Sequence, residues 1–214
     1  KPMFGVNGSG MHVHQSLFKN GRNAFFDEND SYYLSKIARH YVAGLLKYAP
    51  ETTAVVSQWV NSYKRLIPGY EAPVYLSWAR RNRSDMIRVP EYQPGKENAT
   101  RVESRVPDPA CNPYLAFSVM LAAGLEGIEK EYKLAEPIEE NVFEMSSEER
   151  EKRSIGSLPG NLSDAVSLTE KSELVRKALG DHLFDSFIQN KKIEWDRYSI
   201  QVTEYELKRY LPIL

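Results

Sequence analysis

The segment Met11-His-Val-His-Gln-Ser-Leu-Phe18 alternates between two kinds of side chain and sets the first element of the fold. Every second position is polar, and these positions are His12, His14 and Ser16. A period of two predicts a β-strand, because successive side chains of a strand point to opposite faces of the sheet. Both histidines are therefore expected on one face.

Three later segments predict further short strands, over 72–80, 86–89 and 99–106, since they are rich in β-branched and aromatic residues. Turn-forming residues separate them, at Ser84-Asp85 and from Tyr92 to Asn98. The strands then give way to helices. Asn112 precedes Pro113, which is typical of a cap followed by the first helical residue, and this helix is expected to run to about residue 132.

Other helices are expected before and after this point. Helical apolar spacing begins at Leu34, with Asp30 or Ser31 as the expected cap and Pro50 as the expected end. The later segments with helical character are 162–179, 181–190 and 194–210, and Gly180 is a natural break between the first two.

The order of these elements indicates the fold class. Strands come first and helices later without regular alternation, which predicts an α+β fold with an antiparallel β-sheet and packed helices. We expect one domain that is strand-rich over 1–110 and helical over 111–214.

Composition excludes several classes of protein. Lys and Arg number 28 against 29 Asp and Glu, so no overall field favours nucleic acid or an anionic membrane. No apolar stretch approaches the roughly 20 residues that span a bilayer, and the first residues lack the order of a signal peptide. The single cysteine, Cys111, forms no internal disulfide and suits a reducing compartment. We expect a cytoplasmic protein.

Arginines are concentrated between positions 65 and 105. Seven lie there: Arg65, Arg80, Arg81, Arg83, Arg88, Arg101 and Arg105. They are expected to converge on the sheet. The guanidinium fork binds carboxylate and phosphate oxygens in pairs, so the cluster suits a ligand with several anionic groups. Surface ion pairs with nearby acids explain the composition equally well.

The triplet Arg101-Val-Glu103-Ser-Arg105 is more specific. Strand alternation puts its three charged residues on one face, where Glu103 is either a salt-bridge hub, a metal ligand or part of an ion network. His12 and His14 offer further ligand atoms, but two histidines alone are an incomplete shell, and a polar strand face remains an alternative.

Two loops complete the set of candidate segments. The segment from Gly5 to Gly10 has neither P-loop nor dinucleotide spacing, yet its glycines allow a ligand close to the backbone. The segment Pro68-Gly-Tyr-Glu71-Ala-Pro73 is a loop with one acid near its centre, which is either an exposed turn or a functional loop.

Taken in order, these segments resemble a known family. The matching motifs are Asn7-Gly-Ser-Gly-Met-His12-Val-His14-Gln-Ser16, Asn61-Ser-Tyr-Lys-Arg65 through Glu71-Ala-Pro, Asn82-Arg83-Ser with Ile87-Arg88-Val-Pro, and Arg101-Val-Glu103-Ser-Arg105 through Tyr114. Together they resemble the successive signatures of prokaryotic type I glutamine synthetases. The resemblance implies a glutamine synthetase catalytic-domain-like α+β fold.

The resemblance also implies an activity. It is the ATP-dependent ligation of ammonia to glutamate through a γ-glutamyl phosphate, with Mg²⁺ or Mn²⁺, in a homo-dodecamer. The implied metal ligands are His12 and Glu103. The implied ATP contacts are His14, Ser16, Arg83 and Arg88. The implied glutamate contacts are Asn7, Gly8, Arg65, Glu71 and Arg105, and the implied catalytic residues are Glu71 and Arg83.

Departures from the family pattern give further expectations. The N-terminal part of the family's catalytic region, with most of its metal-binding glutamates, has no counterpart here, so we expect this fragment alone to be inactive. Phe143 stands where some type I enzymes carry a tyrosine modified by adenylylation. Two alternatives remain open: a related glutamate–amine ligase, and a non-catalytic scaffold of the same fold.

Overall fold

A computed structural model describes residues 1–82 and 84–214 of the chain. Its strands are β1 Val13–Gln15, β2 Phe18–Lys19, β3 Arg22–Asn23, β4 Tyr75–Ala79, β5 Asp85–Arg88 and β6 Val102–Ser104. One sheet has the strand order β1-β6-β5-β4, and β2 pairs with β3. The four strand segments expected from the sequence are all present; three are shorter than predicted, and β5 has the predicted length but begins one residue earlier.

The register of the sheet centres on one residue. β6 is antiparallel to both β1 and β5, and Glu103 is the partner of His14 on one side and of Arg88 on the other. Half-buried and exposed side chains alternate along residues 11–18, which confirms the period of two. The sheet therefore brings the first histidine segment and the arginine segment to the two sides of Glu103.

The expectation of a wholly antiparallel sheet is wrong for one pair, because β4 and β5 run parallel. Residues 80–82, which follow β4, are held by residues 138–140. The Glu139 carboxylate accepts hydrogen bonds from the backbone N–H of Arg80 at 3.0 Å and of Arg81 at 3.2 Å. The Asn82 side chain donates to the Ile138 carbonyl at 3.1 Å. These contacts with a distant segment fix the chain after β4 in a way that local sequence does not indicate.

The helices surround this mixed sheet and confirm the α+β class. They are α1 Lys36–Val56, α2 Pro113–Glu129, α3 Ser147–Lys152, α4 Leu162–Glu170, α5 Glu173–Leu179, α6 Asp181–Ser199 and α7 Glu204–Tyr210. Short 3₁₀ turns lie at Val60–Lys64, Glu97–Ala99, Val142–Glu144 and Leu211–Ile213. In the described part of the chain, no helix combines the length and apolar character required to cross a membrane.

Both predicted ends of α1 are wrong. The cap is Ser35, whose hydroxyl accepts a hydrogen bond from the Ala38 N–H at 3.2 Å, while Asp30 instead binds Arg39 at 2.7 Å. Pro50 lies inside the helix. Proline removes one backbone hydrogen bond there. The helical turns after Pro50 contain fully buried residues such as Ala54 and Val55, so tertiary packing stabilises the part of α1 beyond the proline.

The C-terminal helices also divide differently from the prediction. The segment 162–179 breaks at Ser172, whose hydroxyl accepts from the Val175 N–H at 3.3 Å and caps α5. Gly180 has φ +76° and separates α5 from α6 as expected. α6 continues to Ser199 across the predicted gap at 191–193, where Lys191 is buried and pairs with Glu194 at 2.6 Å. The helix predicted over 194–210 is instead interrupted before α7, which begins at Glu204 with Thr203 as its cap.

Close packing of α1 against α2 depends on glycine at two facing positions. A Cβ atom at Gly44 would lie 2.1 Å from the Ala123 carbonyl oxygen and 2.9 Å from the Gly127 Cα. Backbone atoms cannot move aside as a flexible side chain can. The two helices therefore approach at a distance that only glycine allows.

Replacing Gly44 by Ala is expected to lower the free energy of unfolding by about 1–3 kcal/mol, because overpacking forces the helices apart. Urea unfolding of the 214-residue chain measures this. Gly160→Ala is the matched control, since a Cβ at Gly160 meets nothing within 4 Å. Equal stability of the two variants would contradict the proposed close approach.

A buried acid lies in the sheet. Asp85, at the start of β5, is 0% exposed and accepts a short hydrogen bond from the Ser77 hydroxyl on β4. Burial raises the pKa of the Asp85 carboxyl to about 7, and the neighbouring Glu139 charge acts in the same direction. The folded protein therefore holds a proton at Asp85 that the unfolded chain releases near pH 4.

Asp85 is expected to lower stability as the pH rises from about 4 to about 7, since the unfolded chain loses its proton first over that range. In Asp85→Asn this decline becomes smaller. The measurement is urea unfolding at pH 5 and pH 8, with the exposed Asp196→Asn as control. A decline equal to that of the wild type would show that Asp85 does not titrate in this way.

Candidate functional site

The centre of the candidate site is the carboxylate of Glu103, which is 2% exposed. Its Oε1 lies 2.8 Å from His12 Nδ1, and its Oε2 lies 2.5 Å from Arg88 Nε. The two partners come from the strands on either side of β6. The sequence suggested Arg101 and Arg105 as the flanking charges, but the direct ion pairs cross the sheet instead.

The His12 ring is oriented by this contact. Its Nδ1 faces the carboxylate and donates to it, which leaves Nε2 with a lone pair. Partial burial lowers the pKa of His12, and the positive charge of Arg105 lowers it further. A neutral imidazole with a free Nε2 is the form that ligates metals. A carboxylate behind the ligating ring is the usual second partner of such a histidine.

A cavity of about 230 Å³ opens beside His12. It brings together all the residues that the family resemblance assigned to glutamate. The residues that line it include Asn7, Gly8, Gly10, His12, Arg65, Tyr70, Glu71 and Arg105. Residues from three separate sequence segments thus meet at one end of the sheet.

Two buried arginines give this cavity its charge. Arg65 donates to the Val106 carbonyl at 2.8 Å and to the Arg105 carbonyl at 3.0 Å, which anchors it just beyond β6. Arg105 donates to the Asp85 carbonyl at 3.3 Å. Burial lowers the pKa of both guanidinium groups, yet arginine stays cationic in proteins. Two fixed cations at one cavity suit a carboxylate or phosphate ligand.

Gly10 allows the loop to approach these groups. A Cβ atom at this position would lie 2.7 Å from Arg65 Nη2 and 3.1 Å from His12 Nε2. The glycine-rich segment therefore packs directly against one arginine and one histidine of the site. This explains the glycine at position 10 without any phosphate-binding motif.

Glu71 lies on an exposed loop between two cavities. It lines the 230 Å³ cavity and a larger one of about 580 Å³. The larger cavity is also lined by Tyr70, Glu139 and Phe143, and the Phe143 ring packs 5.8 Å from the Tyr75 ring. The loop turns at Gly69, which has φ +86°. Glu71 thus faces the interior of the site from a segment outside the sheet.

The candidate nucleotide contacts lie along the sheet from this cavity. His14 Nδ1 accepts a hydrogen bond from Arg101 Nε at 3.1 Å, and Ser16 is exposed just after β1. Arg88 lies on β5, opposite Glu103. Arg83 falls outside the described residues.

The described residues supply only part of a coordination shell for a divalent metal. The described residues contain no group of three or more His, Cys, Asp or Glu side chains placed to hold a metal. His12 Nε2 is one available donor. Glu103 is the second candidate, and in this structure its two carboxylate oxygens contact His12 Nδ1 and Arg88 Nε. One imidazole nitrogen and one carboxylate oxygen suit Mg²⁺ or Mn²⁺ as two ligands of a larger set.

Not all the arginines converge as expected. Arg81 forms an exposed pair with Glu91 at 3.0 Å, and the Arg80 guanidinium lies 4.5 Å from the centre of the Tyr32 ring. Sequence reasoning also missed the contact of Arg101 with His14 and the buried position of Asp85. The strand alternation of Arg101, Glu103 and Arg105 was a sequence signal for the contact between Arg101 and His14. No sequence signal indicated the burial of Asp85, because the sequence assigned it to a turn.

Comparisons with known proteins agree with this architecture. Residues 1–210 match the family described as "Glutamine synthetase, catalytic domain". The chain is 53% identical over 214 residues to a glutamine synthetase of Methanosarcina mazei, covering 100% of this chain and 47% of that protein. It is 50% identical over 211 residues to one of Thermus thermophilus, with coverage of 99% and 47%. The chain thus spans about half the length of these curated relatives.

Solved structures show the same fold. A GmaS/ADP complex superposes with a TM-score of 0.87 at 34% identity, over 99% of this chain and 48% of that one. Apo GmaS superposes with a TM-score of 0.83 at the same identity. With a family match over nearly every residue, the chain belongs to the glutamine synthetase catalytic-domain family.

Proposed function

We propose that this chain is part of a ligase that joins ammonia to L-glutamate, with ATP, through a γ-glutamyl phosphate. The observation that carries the proposal is the position of the Glu103–His12 pair. It borders the same cavity as the two buried arginines Arg65 and Arg105 and the loop acid Glu71. A candidate metal site, two cationic arginines and an acid on an exposed loop, all at one cavity, suit the transfer of a phosphoryl group to a carboxylate.

Glutamate would be held by the buried arginines. Arg65 and Arg105 are fixed by backbone carbonyls, so their guanidinium groups are pre-oriented for a carboxylate. Asn7 and Gly8 line the same cavity and would contact the rest of the amino acid. When the arginines hold one carboxylate of glutamate, the reacting γ-carboxylate is placed at a set distance from the phosphoryl donor.

Glu71 would assist the attacking amine, and its loop would exclude water from the intermediate. Its loop lies over the cavity, and closure of such a loop keeps water from an acyl phosphate that water would hydrolyse. A carboxylate at this place also attracts an ammonium ion and accepts its proton. The family resemblance assigns the same role.

ATP and a divalent cation would bind along the sheet. His12 and Glu103 would hold Mg²⁺ or Mn²⁺, which when bound neutralises charge on the transferred phosphoryl group. His14, Ser16 and Arg88 would contact the nucleotide, with Arg83 as the further phosphate contact that the resemblance implies. Arginine at the phosphoryl group stabilises charge as it develops.

We further propose that the active assembly is a cytoplasmic homo-dodecamer that uses neither nucleic acid nor a membrane as a partner. The described residues supply two metal ligands, so we expect other protein segments to complete the shell. We therefore expect the 214 residues alone to be inactive and the complete enzyme that contains them to be active. Phe143 has no hydroxyl, so adenylylation is not expected there.

In the complete enzyme, Glu71→Ala is expected to lower γ-glutamyl hydroxamate formation on the order of 10²-fold or more, because the acid that assists the amine is lost. The assay contains glutamate, hydroxylamine, ATP and magnesium. Glu204→Ala, at an exposed acid of α7, is the matched control.

The other functions give different results in this assay. A scaffold of the same fold would show no activity in the wild type and no effect of Glu71→Ala. A ligase for another amine would form hydroxamate but would turn over ammonia poorly compared with a larger amine. Activity of the 214-residue chain by itself would contradict the inference that its metal shell is incomplete.

A further inference from the structure

His12, just before β1, and His14, within it, contact partners of opposite hydrogen-bonding character. His12 Nδ1 lies 2.8 Å from the Glu103 carboxylate, which can only accept a hydrogen bond. His14 Nδ1 lies 3.1 Å from Arg101 Nε, which can only donate one. Both partners belong to the same segment of chain, two positions apart.

We propose that Arg101 is a positioning residue that holds His14 as an Nε2–H hydrogen-bond donor for an anionic phosphate oxygen. The assignment follows from the contact itself. Because Arg101 Nε donates, His14 Nδ1 must accept, and the proton of the neutral ring is then on Nε2. The other histidine, His12, is held in the opposite tautomer, since Glu103 accepts a hydrogen bond from its Nδ1–H.

The position of Arg101 is fixed from its own segment. Its Nη1 donates to the Ala99 carbonyl at 3.0 Å, so one edge of the guanidinium group is anchored while Nε reaches His14. His14 pairs in register with Glu103, and Arg101 is therefore a diagonal neighbour across the two strands. Long side chains commonly make such diagonal contacts.

The two tautomers give the histidines different ligands. His12 presents a lone pair, which suits a metal ion, whereas His14 presents a donor, which suits an anion. A spacing of two residues on one strand face thus provides one site for a cation and one for its anionic partner. The functional part of this inference rests on the proposed function, but the hydrogen-bond arrangement does not.

The first test observes the ring nitrogens directly. Long-range ¹H–¹⁵N spectra of the ¹⁵N-labelled 214-residue chain resolve its 4 histidines, and His14→Gln identifies the signals of His14. We expect an unprotonated Nδ1 and a protonated Nε2 at His14, with the reverse at His12. A protonated Nδ1 at His14 would overturn the proposal.

Three variants test whether Arg101 is the cause. Arg101→Met removes the donor, and we expect the ¹⁵N shift of His14 Nδ1 to move to that of a nitrogen without a hydrogen bond. Arg101→Gln places an amide N–H at the same distance along the side chain as Nε, so it is expected to restore most of the wild-type shift. Arg209→Met, on exposed α7, is the control. An unchanged His14 shift in Arg101→Met would overturn the proposal.

The second test uses the complete enzyme and its ATP dependence. Arg101→Met is expected to raise the KM for ATP roughly tenfold, the effect of one lost hydrogen bond to a charged group, with little change in kcat. Arg101→Gln is expected to lie between it and the wild type. An unchanged KM in Arg101→Met would contradict the role toward phosphate. A wild-type enzyme without ATP-dependent activity would instead contradict the proposed function, and the ring-nitrogen result would still stand.

Discussion

The buried carboxylate of Glu103 is the constraint on which the site depends. An isolated charge at 2% exposure would cost several kcal/mol, so the fold must supply partners for it. His12, just before β1, and Arg88, on β5, supply them from the two sides of β6. A shift of either strand by one residue would turn these partners to the other face of the sheet and leave the charge unpaired. The ion pairs and the strand register therefore support each other.

The same arrangement sets what the site can bind. Arg65 and Arg105 donate to backbone carbonyls that hold their guanidinium groups at the cavity. Glu103 and Arg101 orient two histidines for ligands of opposite charge. Helices α1 and α2 pack closely through Gly44 and Gly127 and provide a core that keeps these side chains in place. Family membership and local chemistry thus point to the same reaction class.

The sequence predicted those parts of the fold that local patterns determine. The alternation around His12, the Asn112 cap and the Gly180 break are all local, and the structure has each of them. The parallel pairing of β4 with β5, the continuation of α1 through Pro50 and the burial of Asp85 were missed. Each of these depends on a partner distant in sequence, such as Glu139 at the turn after β4 or the core beneath Ala54. At the site, the residue types were apparent, but the cross-strand partner of Glu103 required the register.

The most direct test of this account is a double-mutant cycle between Glu103 and Arg88. Glu103→Gln, Arg88→Met and the double variant are compared with the wild type by urea unfolding of the 214-residue chain. If the buried pair holds the sheet in register, the coupling energy should exceed about 1 kcal/mol. Effects that add to within about 0.5 kcal/mol would show that the two residues act independently and would contradict the central role of Glu103.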